Sequence, residues 1–207
     1  MIYDPTDHPF TDTHKLMIGS IVPRPIALVS TTSIDGINNL APFSYFNGVC
    51  SKPPTIMFAP ARRGWDGEEK DTLINIRKTK EFSINIVSED IGGQMVQCST
   101  DFKQDIDEFS VSGLSPSPSK RIKPPLVAES KISFECRLNQ IVEIGDGNAG
   151  SGFIVIGTII LFHIDDNIYK NGHISLDQLQ PLGRVAGNGY IRLTDTLEII
   201  RKIKPDK

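Results

Sequence analysis

Five runs of β-branched and apolar residues, bounded by Gly, Pro, Asn and Asp clusters, constrain the fold of this chain more than any other feature. They read IALVSTT from residue 26, TIMFAP from 55, FSINIVS from 82, KISFECRLNQIVEI from 131 and FIVIGTIILFHID from 153. Runs of this composition, separated by turn residues, are typical of the strands of a barrel or sandwich. We therefore predict a mainly β fold whose core is built from strands.

Helix signals are fewer and lie between or after the strand runs. The three candidate helices are LINIRKTK capped by Asp71 or Thr72, EDIGGQMVQCS after Ser88, and TLEIIRKI capped by Thr194 or Asp195. A chain of 207 residues can bury one core without disulfides or a metal. We predict a single domain over residues 1–207 with a few peripheral helices.

Charge and cysteine content narrow the possible functions. A net charge of -3 argues against nucleic-acid binding, and we interpret the pair Arg62-Arg63, with acidic residues close behind it, as solvated surface. The three cysteines are far apart and no export signal opens the chain, so we expect a cytoplasmic protein. The longest apolar run, 153–162, is too short to span a membrane, and the four histidines lack metal-site spacing. We expect no metal, membrane or nucleic-acid partner.

The glycine pattern GDGNAG, residues 145–150, has the letters of a dinucleotide-binding fingerprint. Such a fingerprint requires a helix after the glycines, because the helix N-terminus receives the pyrophosphate. Here a β-branched run follows, so we predict a hairpin loop.

Small, hydroxyl and aromatic residues follow the first strand run. Ser30, Thr31 and Thr32 end that run, and NLAPFS, residues 39–44, follows the Asp35-Gly36 turn. Small side chains let backbone amides approach a flat ligand, and Phe43 can wall its site. An ordinary β-turn explains the same residues, and loop asparagines often bond their own backbone. The segment suits an aromatic cofactor.

A second candidate segment is Lys70-Asp71-Thr72, at the start of the first candidate helix. Backbone N–H groups and the helix dipole favour an anion at such a position, and a lysine with hydroxyls nearby suits a phosphate. The alternative is a plain helix cap beside a surface lysine.

Taken in order, these segments resemble the flavin reductase-like family of FMN-binding split-barrel proteins. The resemblance is carried by NLAPFSYFN, Pro53-Pro54 with TIMFAP, Lys70-Asp71-Thr72 with Asn75, FSINIVS, FECRL at 134–138 and LGRVAGNGY at 182–190. It covers roughly residues 15–190 and leaves a C-terminal helix and tail over 191–207. The resemblance implies a Greek-key, six-stranded split barrel, FMN as cofactor, and a homodimer.

The resemblance also implies which residues contact FMN. Together with the residue chemistry above, it gives the set Ser30, Thr31, Thr32, Asn39, Ala41, Pro42, Phe43, Ser44, Ala59, Lys70, Asp71, Thr72, Arg184 and Tyr190. Arg184 can clamp a phosphate and Tyr190 can stack or donate a hydrogen bond, although a plain surface loop is an equal alternative. Trp65 is either a lid over the cofactor or a subunit contact.

The expected function is an FMN-dependent oxidoreductase of the flavin reductase type. It would take hydride from NADH or NADPH and pass it through FMN to free flavin or a small acceptor. The alternatives are a non-catalytic, flavoredoxin-like electron carrier and a β-barrel binding module without a cofactor. No catalytic side chain is expected, because the flavin itself accepts hydride.

Overall fold

The computed structural model describes residues 1–200 of the chain. Its strands are β1 (Arg24–Pro25), β2 (Ala27–Thr32), β3 (Asn38–Phe43), β4 (Phe46–Ser51), β5 (Pro54–Phe58), β6 (Glu81–Ile86), β7 (Pro116–Ser117), β8 (Leu126–Val127), β9 (Ile132–Ile144), β10 (Gly152–Ile164), β11 (Tyr169–Lys170), β12 (His173–Ile174), β13 (Leu182–Arg184) and β14 (Tyr190–Arg192). Its α-helices are α1 (Phe10–Ser20), α2 (Asp71–Thr79), α3 (Gly92–Gln97), α4 (Glu108–Ser112) and α5 (Leu176–Leu179), and Pro5–Asp7 and Glu89–Ile91 are 3-10 turns.

One antiparallel sheet of seven strands, in the order β3-β2-β6-β9-β10-β5-β4, forms the body of the molecule. Its two edge strands, β3 and β4, are consecutive in the chain and are joined only by Ser44 and Tyr45. The sheet must therefore curl until its edges meet at this corner, which makes it a barrel split between β3 and β4. Register shifts in the long β9–β10 hairpin, at Ile156/Gly157 and Ile159/Leu161, help the sheet to bend.

Two apolar clusters fill the structure on the two sides of β2. The inner cluster lies within the barrel and includes Val29, Phe58, Phe82 and Val155. The outer cluster packs Leu28 and Leu40 against Ile91, Met95 and Phe109 from the helical segments. Because side chains alternate along a strand, β2 and β3 contribute to both clusters, and the helices are fixed beside the open edge of β3.

A small sheet in the order β1-β13-β14 brings the N-terminal and C-terminal segments together. Arg24 is the register partner of Arg184, and Arg184 is the partner of Tyr190. These three side chains consequently form one row across the small sheet.

The five predicted strand runs are confirmed as β2, β5, β6, β9 and β10, and GDGNAG is the loop of the β9–β10 hairpin. Residues 39–47, expected as a loop, instead contain β3 and the start of β4, so the main sheet has seven strands rather than six. The segment forms strands because β2 and β5 offer edges with which it can pair. No helix within residues 1–200 is long and apolar enough to cross a membrane.

The helix predictions need three corrections. The predicted α2 forms, but its N-cap residue is Lys70 rather than Asp71 or Thr72. The segment 89–99 is divided into a 3-10 turn and the short α3, where two consecutive glycines lower helix propensity. Residues 193–200 carry no helix, and the rest of the predicted C-terminal helix and tail lies outside the described residues.

Candidate functional site

A cleft of about 480 Å³ lies beside β3. Strand β3 supplies one wall, the start of α2 and the loop before it supply the second, and residues 98–102 with Glu108 close the third. The cleft thus gathers side chains from segments that are far apart in the sequence.

The β3 wall is formed by Ala41, Pro42 and Phe43. The amide of Leu40 donates to Glu108 Oε2 at 3.0 Å and therefore points away from β2. Because amide directions alternate along a strand, the amides of Ala41 and Phe43 point toward β2, and Pro42 has no N–H. We predicted backbone amides of residues 41–44 as hydrogen-bond donors to the ligand. Among these amides, only that of Ser44 is not directed toward β2, because Ser44 lies beyond the end of β3.

A closed hydrogen-bond network lies under the cleft. Asn39 Oδ1 accepts from Thr72 Oγ1 at 2.7 Å and from Thr31 Oγ1 at 3.4 Å, while Asn39 Nδ2 donates to Glu108 Oε1 at 2.7 Å. Asn75 Nδ2 donates in turn to Thr31 Oγ1 at 3.1 Å. Burial raises the pKa of the Glu108 carboxyl, although its hydrogen bonds favour the charged form. The network fixes Thr72 at the start of α2. Because the Thr72 hydroxyl donates its proton to Asn39, it has no proton left to donate to a ligand.

Two cations face the cleft, and each is already paired. Arg63 Nη2 lies 3.2 Å from Asp71 Oδ2, and Lys70 Nζ lies 3.2 Å from Asp101 Oδ1. Trp65 Nε1 also donates to Asp101, at 3.3 Å, so Asp101 joins the loop before α2 to the segment after α3. The other oxygen of Asp71, Oδ1, is buried without a hydrogen-bond partner within residues 1–200.

A second cavity of about 510 Å³ adjoins the cleft and shares Pro42 and Ser99 with it. Ser44, Arg184 and Tyr190 line this cavity. The Arg184 guanidinium stacks on the Tyr190 ring, with its carbon 4.5 Å from the ring centroid.

The structure brings most of the predicted cofactor residues to these two neighbouring cavities. The residues that line the cleft are Asn39, Ala41, Pro42, Phe43, Lys70, Asp71 and Thr72. Four other predicted residues do not line either cavity: Ser30, Thr31, Thr32 and Ala59. Ser30 is wholly buried in the sheet, Thr31 and Thr32 bond Asn39 and Asn38, and the Ala59 amide donates to Tyr45 O at 2.8 Å.

Sequence reasoning missed the cleft residues Arg63, Asp101 and Glu108. The interpretation of Arg62-Arg63 as solvated surface is wrong, because their side chains are only 15% and 18% exposed and both are ion-paired. Glu108 reaches Leu40 across 68 residues of sequence. Short-range spacing carries no signal for such a contact. Trp65, considered as a lid, is 73% exposed and lies outside the cleft itself.

Comparison with known proteins agrees with the fold. The model of the flavin reductase like domain matches residues 18–180. An uncharacterised protein of Aquifex aeolicus is 39% identical over 180 residues, which are 86% of this chain and 89% of that protein. Nitrilotriacetate monooxygenase component B from Bacillus cereus superposes with a TM-score of 0.92 at 32% identity, covering 96% of this chain and 98% of that one.

A further solved structure, 2-nitrobenzoate 2-nitroreductase NbaA of Pseudomonas fluorescens, superposes with a TM-score of 0.87 at 30% identity. The alignment covers 100% of this chain and 99% of that one. The domain match spans the barrel, the cleft beside β3 and the helices that border it, so the chain belongs to the flavin reductase-like family of split-barrel proteins.

Proposed function

We propose that the cleft holds FMN and that the protein is an oxidoreductase of the flavin reductase type. The observation that carries the proposal is the convergence of Ala41, Pro42 and Phe43 with Lys70 and Asp71 in one cleft, in a chain of this family. An apolar wall suits a flat ring, and a cation at the other wall suits a phosphate.

The donors and acceptors of the cleft fit FMN. The buried, unpartnered Asp71 Oδ1 needs a hydrogen-bond donor, which a ribityl hydroxyl can supply. Lys70 is 32% exposed and can turn from Asp101 toward a phosphate. Ala41, Pro42 and Phe43 would bound the ring, and the Ser44 amide would be available to its polar edge. When bound, FMN would supply the group that accepts and returns hydride.

The role of the chain's own residues is to position ligands. Within residues 1–200 both oxygens of the cleft carboxylates Asp101 and Glu108 are held by donors or a cation, and Asp71 is paired with Arg63 through Oδ2, which leaves only Asp71 Oδ1 without a partner. The closed network under the cleft keeps β3 and α2 at a fixed separation. This arrangement favours a site that orients a cofactor over one that performs acid–base chemistry by itself.

We further propose that NADH or NADPH donates the hydride and that free flavin or a small acceptor receives it. The similar proteins named above, a monooxygenase component and a nitroreductase, support a redox role. The free cysteines Cys50, Cys98 and Cys136 are consistent with the reducing cytoplasm as the compartment.

The test is anaerobic stopped-flow reduction of the FMN-loaded protein by each nicotinamide nucleotide. We expect the flavin absorbance to bleach faster than that of free FMN and to recover when free flavin is added. Mass spectrometry of the released cofactor distinguishes FMN from FAD. A protein that takes up FMN, is reduced by dithionite, and is not reduced by either nucleotide faster than free FMN would instead be an electron carrier.

We also propose a homodimer. Helix α1 buries none of its residues, although it carries Phe10, Leu16 and Met17, and the edge strand β4 is exposed from Asn47 to Ser51. A second copy of the chain would cover these surfaces.

A further inference from the structure

We propose that the cavity at Ser44, Arg184 and Tyr190 is an anion subsite, which takes a carboxylate or phosphate group of a ligand. Its assignment to a substrate bound beside the cofactor rests on the proposed function. The subsite adjoins the cleft at Pro42 and Ser99, and strands β13 and β14 of the small sheet supply its Arg184 and Tyr190.

Two arginines occupy adjacent positions of the small sheet at this cavity: Arg184 lines it, and Arg24 contacts its lining residue Ser44. Arg24 and Arg184 are directly opposed register partners on β1 and β13. Like charges at opposed positions destabilise a sheet unless something compensates them. Among residues 1–200, no carboxylate forms a salt bridge with either arginine, although nine ion pairs of other Lys or Arg residues occur in this part of the chain.

Arg24 is fixed and almost completely buried. It is only 4% exposed, and its Nη1 donates to the carbonyls of Ile18 and Ile21 at 2.8 and 2.6 Å. Its Nη2 donates to Val185 O at 3.2 Å. The Tyr45 ring centroid lies 5.8 Å from the Arg24 guanidinium carbon, but neither this ring nor the neutral carbonyls carry a full negative charge, and burial makes an unpaired positive charge costly. An anion in the adjoining cavity would compensate it.

The same arginine sets the direction of Ser44. Arg24 Nε donates to Ser44 Oγ at 3.2 Å, so the hydroxyl acts as an acceptor on that side. Its proton must point elsewhere, and Ser44 lines the cavity. Arg184 stacks on Tyr190, and its one hydrogen bond within residues 1–200 runs from Nη2 to Gly187 O, which leaves further guanidinium N–H groups for a ligand. Ser44 and Arg184 together offer the donors that an anionic oxygen group requires.

The two ends of the combined cavity therefore differ in charge. At the cleft end, Arg63 and Lys70 are neutralised by Asp71 and Asp101, and Glu108 adds a further carboxylate. At the Ser44 end, the charged lining residue is Arg184, with Arg24 behind it. The flanking Tyr190 ring and Pro42 suit a planar apolar group attached to the anion. The fitting ligand class is a planar organic acid, or a phosphate monoester such as that of the cofactor.

The experiment measures binding of sodium benzoate, with benzamide as its neutral counterpart, to the full chain by titration calorimetry. We expect benzoate to bind at least about tenfold more tightly than benzamide, and Arg184→Gln to remove this preference. Arg192→Gln is the matched control, because Arg192 lies on the same small sheet but is paired with Glu89. It should keep the wild-type preference.

A thermal unfolding series shows whether a variant loses benzoate binding only because it is misfolded. Benzoate should raise the Tm of the wild type and not that of Arg184→Gln. Without added anion, Arg184→Gln should unfold at or above the wild-type Tm, because it removes one of two opposed like charges. Equal affinities for benzoate and benzamide, or an unchanged benzoate affinity in Arg184→Gln, would overturn the proposal.

The source of the anion is settled by comparing FMN with riboflavin. If the Arg184→Gln variant no longer binds FMN more tightly than riboflavin, the subsite holds the phosphate of the cofactor. If the Lys70→Ala variant loses this preference for FMN over riboflavin and the Arg184→Gln variant keeps it, the subsite serves a second ligand. Benzoate binding does not require turnover, so a failed reductase test leaves this result interpretable.

Discussion

Lys70 is the residue on which the phosphate assignment can be tested most directly. It precedes α2, lines the cleft and holds Asp101 at 3.2 Å. Replacing Lys70 with Ala removes a charge-assisted hydrogen bond worth about 1.5 to 3 kcal/mol, so FMN should bind roughly 10- to 100-fold more weakly. Quenching of flavin fluorescence measures the affinity, and Lys15→Ala on α1 is a control. Unchanged affinity in a normally folded Lys70→Ala protein would show that the phosphate lies elsewhere.

Asp101 gives the reciprocal prediction. Its carboxylate competes with a phosphate for Lys70 and also accepts from Trp65. Asp101→Asn removes the ion pair between Asp101 and Lys70. Because this ion pair is partly exposed, its loss should increase the affinity for FMN only modestly, by up to about fivefold. The same fluorescence titration tests this, with Asp105→Asn as a control from the same segment. A loss of affinity would mean that Asp101 positions the ligand and does not compete with it.

Glu135 should make stability depend on pH. It is fully buried on β9 and accepts from the amides of Lys120 and Arg121 and from His163 Nε2, each at 2.7 Å. Burial opposes its charged form, but these hydrogen bonds outweigh burial and lower the pKa of Glu135. Because the pKa of Glu135 is lower in the folded state than in the unfolded state, its charged form stabilises the fold at pH values above the ordinary carboxyl pKa near 4. This stabilisation is lost as the pH falls through the folded-state pKa.

Glu135→Gln should consequently lower the free energy of unfolding at pH 7 by about 1.5 to 3 kcal/mol. The difference from the wild type should shrink below about pH 4. Urea unfolding at several pH values measures both effects, and the exposed Glu68→Gln variant is the control. A difference that stays constant from pH 7 to pH 3 would show that packing, and not charge, is lost.

At the scale of elements, the strands could be predicted where composition alone decides them. The runs that became β2, β6, β9 and β10 are β-branched and apolar, as the middle of a sheet requires. The edge strands β3 and β4 could not be predicted from composition, because Asn39, Pro42 and Gly48 have low strand propensity. Their pairing depends on β2 and β5, which are remote contacts that a local pattern does not contain.

The candidate site divides in the same way. Lys70, Asp71 and Thr72 are adjacent in sequence and could be predicted together. Glu108 could not be predicted, since its hydrogen bond to Leu40 spans 68 residues of sequence and accompanies the packing of Phe109 in the outer cluster. The direction of the β3 amides could not be predicted from the sequence either, because it depends on which side of the strand is paired.

The register shift beside Gly157 of β10 provides a prediction about an element. A Cβ added at Gly157 would lie 2.5 Å from Phe82 Cζ and 3.2 Å from Arg137 O. Phe82 is completely buried, so it cannot move aside without disturbing the core. Gly157→Ala should lower the free energy of unfolding by about 1 to 3 kcal/mol, as measured in urea. Gly64→Ala is the control, because no atom lies within 4 Å of a Cβ there. Equal stability of both variants would contradict this account of the close packing at Gly157.

At the scale of the whole molecule, an edge strand and a helix within residues 1–200 carry exposed apolar side chains. Strand β4 is an edge of the sheet with unpaired backbone groups, and Val49 on it is 54% exposed. Helix α1 exposes Phe10 and Met17 to 49% and 44%. Soluble chains rarely leave a sheet edge and an apolar helix uncovered, because such surfaces invite association.

A second copy of the chain that covers these elements would bury about 800 Å² on each partner in an interface of standard size. Light scattering of the FMN-loaded protein should therefore give twice the chain mass of 22.8 kDa at micromolar concentration. Val49→Lys places a charge on the exposed edge and should shift the mass toward the monomer, whereas Val111→Lys, at an exposed position of α4, should not. Cofactor retention can be followed in the same runs. A monomer mass for the wild type at every concentration, with FMN bound, would show that neither β4 nor α1 is an interface.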